Sequence, residues 1–417
     1  MARRETRGGH ERQAGIKGTG PLAGYRVLDL GSTVAGPYCA RLLADFGAEV
    51  VKVEDISGDS VRGIGGSLDG KSFYASTILR NKQIISIDLR KDQGRDLVRR
   101  LVPHFDAVVE NFRPGGLEKW GLGYADLAQL RPGLIMTRIS GFGQTGPFKH
   151  RPGYGVIGEA VSGLREMIGD PDAPPSRAGL PLTDYITAVY AAFGTVMALL
   201  ARERTGQGQC IDASLFESAF SFMEVSVPTY DKTGEIATRA GTRLPGCAPN
   251  NLYPTRDGRH IHITALADQV YRRLAAAMGQ PELGTDPRFA EMTVRVKNQD
   301  ELDEIIAAWT SGHDLAELER RLTEADVPAS RIFNMKDIFE HPLFREREML
   351  LQVADDDLGT VTQPGIVPKL SGTPGRVRWS GRRNGQDTRV VLHDYLSLSD
   401  GEINALVRDG VVKDDQV

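Results

Sequence analysis

Between Tyr25 and Ser140 the chain alternates short apolar, β-branched runs with stretches that read as helices, and this alternation restricts the architecture more than any other feature. YRVLDL (25–30) is followed by Gly31, a helical stretch near Ala35 to Phe46, and EVVKV (49–53), which together read as a βαβ unit. QIISIDL (83–89), an amphipathic stretch from about Asp92 to Val102, DAVVENF (106–112) and LIMTRIS (134–140) repeat the pattern. Strands joined through helices pair in parallel, so the expected fold class is α/β, a large Rossmann-like parallel sheet with helices on both faces.

A long helix is expected from about Asp184 to Arg204, stopping at Thr205-Gly206 before QCIDASL (209–215). Its uncharged part, Tyr185 to Ala201, barely reaches the length of a membrane span and contains Thr187, Gly194 and Thr195, so it reads as a buried helix. GTRLPGCAPNN (241–251), rich in Gly, Pro and Asn, lies in a stretch where periodicity fades, which places a domain change there. Beyond it, NLYPT and RHIHITA flank Arg256-Asp257-Gly258 as a hairpin, and three helical patterns complete a smaller α+β module. The expected division is a disordered extension over 1–20, a large domain over 21–225, a small domain with its linkers over 226–340, and a segment over 341–417 that returns to the large domain.

Charge narrows the function. Fifty-one basic residues against 55 acidic ones give a formal charge of −4, and no basic stripe lies outside the first twenty residues, so no nucleic-acid partner is expected. The start of the chain has no apolar leader, and no membrane association is expected. The three cysteines, Cys39, Cys210 and Cys247, form no CxxC pair, which fits a reducing, cytoplasmic compartment and argues against a zinc site. His260 and His262 share one strand face, but no third ligand clusters with them, so they read as a packed or half-exposed face and no metal is expected.

The turn GSTVAGPY (31–38) and Glu54 at the end of the second run sit where a dinucleotide fold holds its phosphate loop and its ribose-binding acid. The third position of the glycine pattern is Thr33, so a nicotinamide cofactor is not expected; a different phosphate-bearing ligand, or a plain tight turn, fits better. Asp184 opens the longest helix, where the helix dipole favours a carboxylate, though by position alone it also suits a simple first-turn acid. No GxSxG, HExxH or P-loop pattern occurs, and Cys39 reads as core.

Several segments, in order, resemble the family III coenzyme A transferases, the CaiB/BaiF group that also includes formyl- and carnitine CoA-transferases and α-methylacyl-CoA racemases. They are PLAGYRVLDLGSTVAGPYCARLLADFGAEVVKVE (21–54), LRNKQIISIDL (79–89), VENFRPG (109–115), SGFGQTGP (140–147), RPGYGVIGEAVSGL (151–164), LTDYITAVYAAFGTVMALLARERTGQGQ (182–209) and the DG hairpin at Asp257-Gly258. The resemblance implies that Asp184 is a covalent nucleophile, that coenzyme A enters as an acyl-CoA substrate, and that the second substrate is a small carboxylic acid. It implies coenzyme A contacts from Val34, Ala35, Leu79, Lys82, Asn111, Phe112, Lys119 and Tyr154, with Lys82 and Lys119 as phosphate partners. It also implies an interlocked, ring-like homodimer whose active site lies between the large domain of one chain and the small domain of its partner.

Four departures qualify the resemblance. Many relatives carry Arg after the strand-ending Glu, where this chain has Asp55; Arg62 lies close enough to substitute. Racemases place a His-Asp pair after the glycine at the position of Tyr154-Gly155, and without it α-proton exchange lacks a base, which makes acyl-CoA racemase or epimerase the alternative reading rather than the main one. Transferases commonly carry an acid at the place of Gly155. Where formyl- and oxalate-type members have a polyglycine loop, this chain reads Arg243-Leu244-Pro245-Gly246-Cys247, which points to a larger or dicarboxylic acid with Arg243 as its clamp.

Overall fold

The computed structural model describes residues 19–415, so the expected N-terminal extension lies almost wholly outside the described residues. The chain divides into two compact units: one formed by 19–164, Ala178–Val225 and Arg345 onward, the other by Arg165–Arg177 and Ser226–Phe344.

The first unit is built on one sheet. Its strands in chain order are β1 (Arg26–Asp29), β2 (Glu49–Glu54), β3 (Lys82–Ile87), β4 (Ala107–Glu110), β5 (Ile135–Ser140) and β6 (Gln209–Ser214). The second unit contributes β7 (Asn250–Pro254), β8 (His260–Thr264) and β9 (Ala329–Arg331); the first unit resumes with the hairpin β10 (Leu350–Asp355) and β11 (Gly359–Pro364) and with β12 (Val412–Lys413). The sheet order is β12-β3-β2-β1-β4-β5-β6, parallel throughout except for β12, which runs antiparallel to β3. Helices cover both faces, so the central strands are buried on both sides, and Val, Ile and Leu dominate them for that reason. β12 is two residues long, too short to leave a periodic trace in the sequence.

Helix α1 (Ala35–Asp45) and the 24-residue helix α3 (Leu182–Thr205) pack on one face, where Ala188, Ala191, Ala192 and Ala198 meet Cys39, Ala40 and Ala44. Small side chains let these helices approach the sheet and each other closely. The expectation of a buried α3 needs correction: its other face, with Val189, Tyr190, Phe193, Val196, Met197 and Leu200, is exposed. By length and composition α3 could cross a membrane, but its alanine face is committed to the core.

The second unit holds the antiparallel sheet β9-β8-β7, covered by helices Asp268–Ala277, Gln299–Thr310 and Leu315–Glu324, whose apolar faces enclose Tyr253, Ile261 and Ile263. His260 is exposed and His262 shares a hydrogen bond with Asn250 Oδ1; among the described residues no group of metal-ligating side chains occurs.

A buried ionic knot ties the chain's return to the sheet. Arg80, 0% exposed, donates twice to Asp45 at the end of α1 (3.1 and 2.7 Å) and once to the Pro364 carbonyl (2.7 Å). Asn81 donates to the same Asp45 carboxylate and to the Arg376 carbonyl. Removing one partner strands a buried charge, so Arg80→Met is expected to cost about 3–5 kcal/mol, read as a lower urea midpoint at unchanged slope.

Candidate functional site

In the order β3-β2-β1-β4-β5-β6 the chain's progress reverses between β1 and β4. The loops leaving the carboxyl ends of those two strands therefore diverge to opposite faces and leave a crevice, the general ligand position of doubly wound sheets. The loop after β1 carries Val34 and leads into α1 at Ala35, both side chains buried; the segment after β4 carries Asn111, Phe112 and Lys119. Asn111 joins the two, accepting from Ser32 N at 2.7 Å and donating to Ser32 O at 2.8 Å.

Buried charges fix the first loop atom by atom. Asp29 accepts from Gly31 N at 2.9 Å, Lys52 donates to Gly31 O, and Asp59 accepts from Thr33 N at 2.9 Å. Thr33 adopts φ +67° and its hydroxyl meets that of Ser60 at 2.7 Å. Gly31 and Gly36 face each other so closely that a Cβ on either would lie 2.9 or 3.0 Å from the other's Cα. Gly31 and Gly36 thus keep the first and last places of the dinucleotide pattern without its middle glycine, and they let the loop fold back onto the start of α1.

Lys52 and Asp59 form an ion pair at 2.8 Å, each side chain 1% exposed. Burial alone would raise the Asp59 pKa, but the Lys52 ammonium and the amides of Val61 and Thr33 outweigh it and hold the carboxyl at about 2. Burial likewise opposes the Lys52 charge, and the carboxylates of Asp59, Asp29 and Glu54 overcome it and raise its pKa.

Lys82 is corrected as a phosphate partner. It is 0% exposed, and its ammonium donates to Asp29 at 2.8 Å and to the Pro37 carbonyl at 2.6 Å, which directs it beneath the loop and away from a ligand above it. Leu79, also 0% exposed, belongs with Val34, Val61, Ala75, Ile78 and Ile84 to an apolar cluster, so its side chain is packing and not a contact surface. Lys119 is exposed on a short 3-10 turn. That segment is clamped by Arg138, which donates to Glu110 and Glu118, each at 2.6 Å, while Glu110 accepts from Phe112 N at 2.7 Å. Arg62 is corrected as a substitute phosphate contact: it is engaged twice with Glu54 at 2.8 Å and with the Arg382 carbonyl. A cavity of about 260 Å³ opens beside it, lined among others by Ser72, Arg383, Asn384 and Lys413, and does not include Asp184.

Asp184 sits half-buried in the first turn of α3. Its neighbour Tyr185 packs against the Val34 cluster together with Tyr38 and Tyr74, which brings the start of α3 to the β1 loop. Tyr185 and Tyr74 share a hydroxyl hydrogen bond of 2.8 Å, and Tyr38 meets Tyr185 edge to face at 4.7 Å beneath the guanidinium of Arg41. Burial foremost, with the Asp184 charge adding to it, raises both Tyr74 and Tyr185 above the ordinary phenol range and keeps them protonated. The sequence reading did not single out Tyr38, Tyr74, Tyr185 or Arg41; Tyr185 beside Asp184 was the available signal. Tyr154 is 75% exposed and caps helix α2 (Gly155–Val161), whose first residue lies against the Asp184 carboxylate.

Arg243 is corrected as a carboxylate clamp. It belongs to the second unit, where Asp303 and Asp300 accept from it at 2.7 and 2.6 Å, and Asp303 also accepts from Tyr253 and Asn251. Its charge is already matched inside the unit.

The low Asp59 pKa is a stability statement. The stabilisation is complete above the unfolded value near 3.8 and is lost as pH falls through about 2. Asp59→Asn is expected to cost about 3–5 kcal/mol at pH 7 by stranding Lys52, and to flatten the decline in stability between those two pH values, both read from urea midpoints.

Comparison with known proteins places this arrangement. Residues 22–388 match the family model for CoA-transferase family III. The chain is 48% identical over 394 residues, 94% of its length and 98% of the relative's, to the succinyl-CoA–D-citramalate CoA-transferase of Chloroflexus aurantiacus. It is 37% identical to the succinyl-CoA:mesaconate CoA-transferase of Haloarcula hispanica, covering 85% of this chain and 92% of that one. Among solved structures, a CaiB/BaiF family protein from Brucella suis superposes with a TM-score of 0.81 at 31% identity, covering 90% of this chain and all of the other. The chain, with its crevice between β1 and β4, belongs to CoA-transferase family III.

Proposed function

We propose that the protein transfers coenzyme A from succinyl-CoA to a four- or five-carbon dicarboxylic acid, citramalate foremost, with Asp184 as the nucleophile. The observation that carries the mechanism is the placement of Asp184 next to Tyr185, which packs with Val34 against the β1 loop. The choice of substrates is supported by the relatives, whose names give succinyl-CoA as donor with citramalate, malate or mesaconate as acceptor. Coenzyme A would lie over the β1 and β4 loops, meeting the backbone at Val34 and Ala35, whose side chains are buried, with Asn111 and Phe112 along its length and Lys119 at a phosphate.

In the first half-reaction an Asp184 oxygen attacks the thioester carbonyl, the C–S bond breaks, and a mixed anhydride and the CoA thiolate form. The thiolate then attacks the aspartyl carbonyl and expels succinate, leaving an aspartyl-CoA thioester. The acceptor carboxylate attacks that thioester, the thiolate departs, and a second anhydride forms. The thiolate finally attacks the acceptor's acyl carbonyl, which releases the new acyl-CoA and restores Asp184. Each step exchanges one activated acyl bond for another, so the thioester energy is retained. Tyr38, Tyr74 and Tyr185 screen the anhydride from water.

The exposed stripe on α3, from Val189 to Leu200, supports a homodimer, as a second copy would bury it. We place the enzyme in the reducing cytoplasm.

The test is intact-protein mass spectrometry after incubation with succinyl-CoA, trapped with hydroxylamine or borohydride, over a panel of dicarboxylic acids. A modification mapping to Asp184, with a new acyl-CoA from one acid, is expected. Asp184→Ala should lose both, turnover falling by about 10³-fold or more. Absence of any adduct, with solvent deuterium entering the acyl-CoA, would instead indicate an isomerase. Light scattering should give twice the chain mass of 45.5 kDa.

A further inference from the structure

Gly155 is the first residue of α2, and its surroundings leave no room for a side chain. A Cβ built on Gly155 would lie 1.9 Å from Asp184 Oδ2 and 2.8 Å from its Cγ. In this chain the volume of a side chain at 155 is therefore occupied by the carboxylate itself. The approach is prepared nearby: Gly141 and Gly153 also lie face to face, a Cβ on Gly141 falling 2.9 Å from Gly153 Cα, so the strand leaving β5 and the start of α2 run close together.

Several other glycines in the chain are equally confined, but by backbone. A Cβ on Gly94, Gly208 or Gly381 would meet a carbonyl oxygen at 2.1, 2.0 or 2.2 Å, so filling those positions requires the fold to move. At Gly155 the severe obstacle is the end of a rotatable side chain, which can swing aside at little cost to folding. Gly155 also has no positive φ to protect, since it opens a regular helix, where alanine is the better helix former.

We infer that Gly155 is a positioning residue for the transfer reaction: by presenting no side chain it admits the Asp184 carboxylate to a single seat on the start of α2, facing the acyl carbon. The inference rests on the assignment of Asp184 as nucleophile. A methyl group at 155 would drive the carboxylate from that seat by an ångström or more, which costs about 10²-fold in a reaction that depends on the alignment of nucleophile and carbonyl. Coenzyme A binding, made by the β1 and β4 loops, would be untouched.

The test compares wild type, Gly155→Ala, Asp184→Ala and the double variant, each by steady-state transfer, by the rate of hydroxylamine-trapped adduct formation, and by thermal melting. Gly155→Ala is expected to lower kcat and the adduct rate by about 10- to 100-fold with KM for succinyl-CoA unchanged. In the Asp184→Ala background the same substitution should raise the melting temperature more than it does in wild type, because the group it displaces is gone. Wild-type turnover in Gly155→Ala alongside an inactive Asp184→Ala would overturn the inference while leaving the nucleophile in place. Full activity in Asp184→Ala would overturn the nucleophile assignment itself. Should Gly155→Ala not fold, a folded double variant would uphold the clash with the carboxylate; failure of both to fold would show that something else fills the space and would refute it.

Discussion

The pairing of Lys52 with Asp59 beneath the β1 loop is the interaction on which the site depends. Two opposite charges, each almost wholly removed from water, are tolerable only if their remaining hydrogen-bonding capacity is met. Here the loop supplies part of it: Lys52 holds the Gly31 carbonyl and Asp59 holds the Thr33 amide. The cost of burying the pair thereby becomes rigidity in the segment that faces the crevice. Asp29 extends the arrangement, taking Gly31 N with one oxygen and the Lys82 ammonium with the other. The result is a loop with little freedom, held from below by buried charges.

The second constraint is close approach without side chains. Gly31 against Gly36, Gly141 against Gly153, and Gly155 against Asp184 permit close approach in the loop after β1, at the exit from β5 and at the start of α2. Each contact fails if a Cβ is added, but for different reasons. The first two juxtapose backbones, which cannot yield, whereas the third juxtaposes a backbone with the Asp184 carboxylate. The same packing device thus brings backbone to backbone in two places and a carboxylate to a helix start in the third.

Much of this was legible in the sequence. The six parallel strands, α1, α3 and the hairpin at Asp257-Gly258 follow from apolar periodicity and turn residues, which are local properties. Asp184 and the loops carrying Val34 and Asn111 are singled out in the sequence by ordered motifs. The pairing of Lys82 is not, because a lysine reads the same in sequence whether its ammonium reaches solvent or a buried aspartate 53 positions away, as for Lys82 and Asp29. Arg243 misled for a similar reason: its partners Asp300 and Asp303 lie on a helix far along the chain. The exposed face of α3 was hidden because an apolar helix looks alike whether its own chain covers it on one side or on both.

By itself, then, the sequence determined the alternating α/β order, the family and the identity of the acid at the start of α3, since these depend on periodicity and on short motifs read in series. Only the tertiary structure decided which charges are consumed as internal pairs, which aromatic residues pack with Tyr185, and what stands in the space that a side chain at 155 would take. Those outcomes depend on distances between residues remote in the chain, and burial makes them decisive: in a medium of low polarity a charge must find its partner and two atoms cannot share one volume.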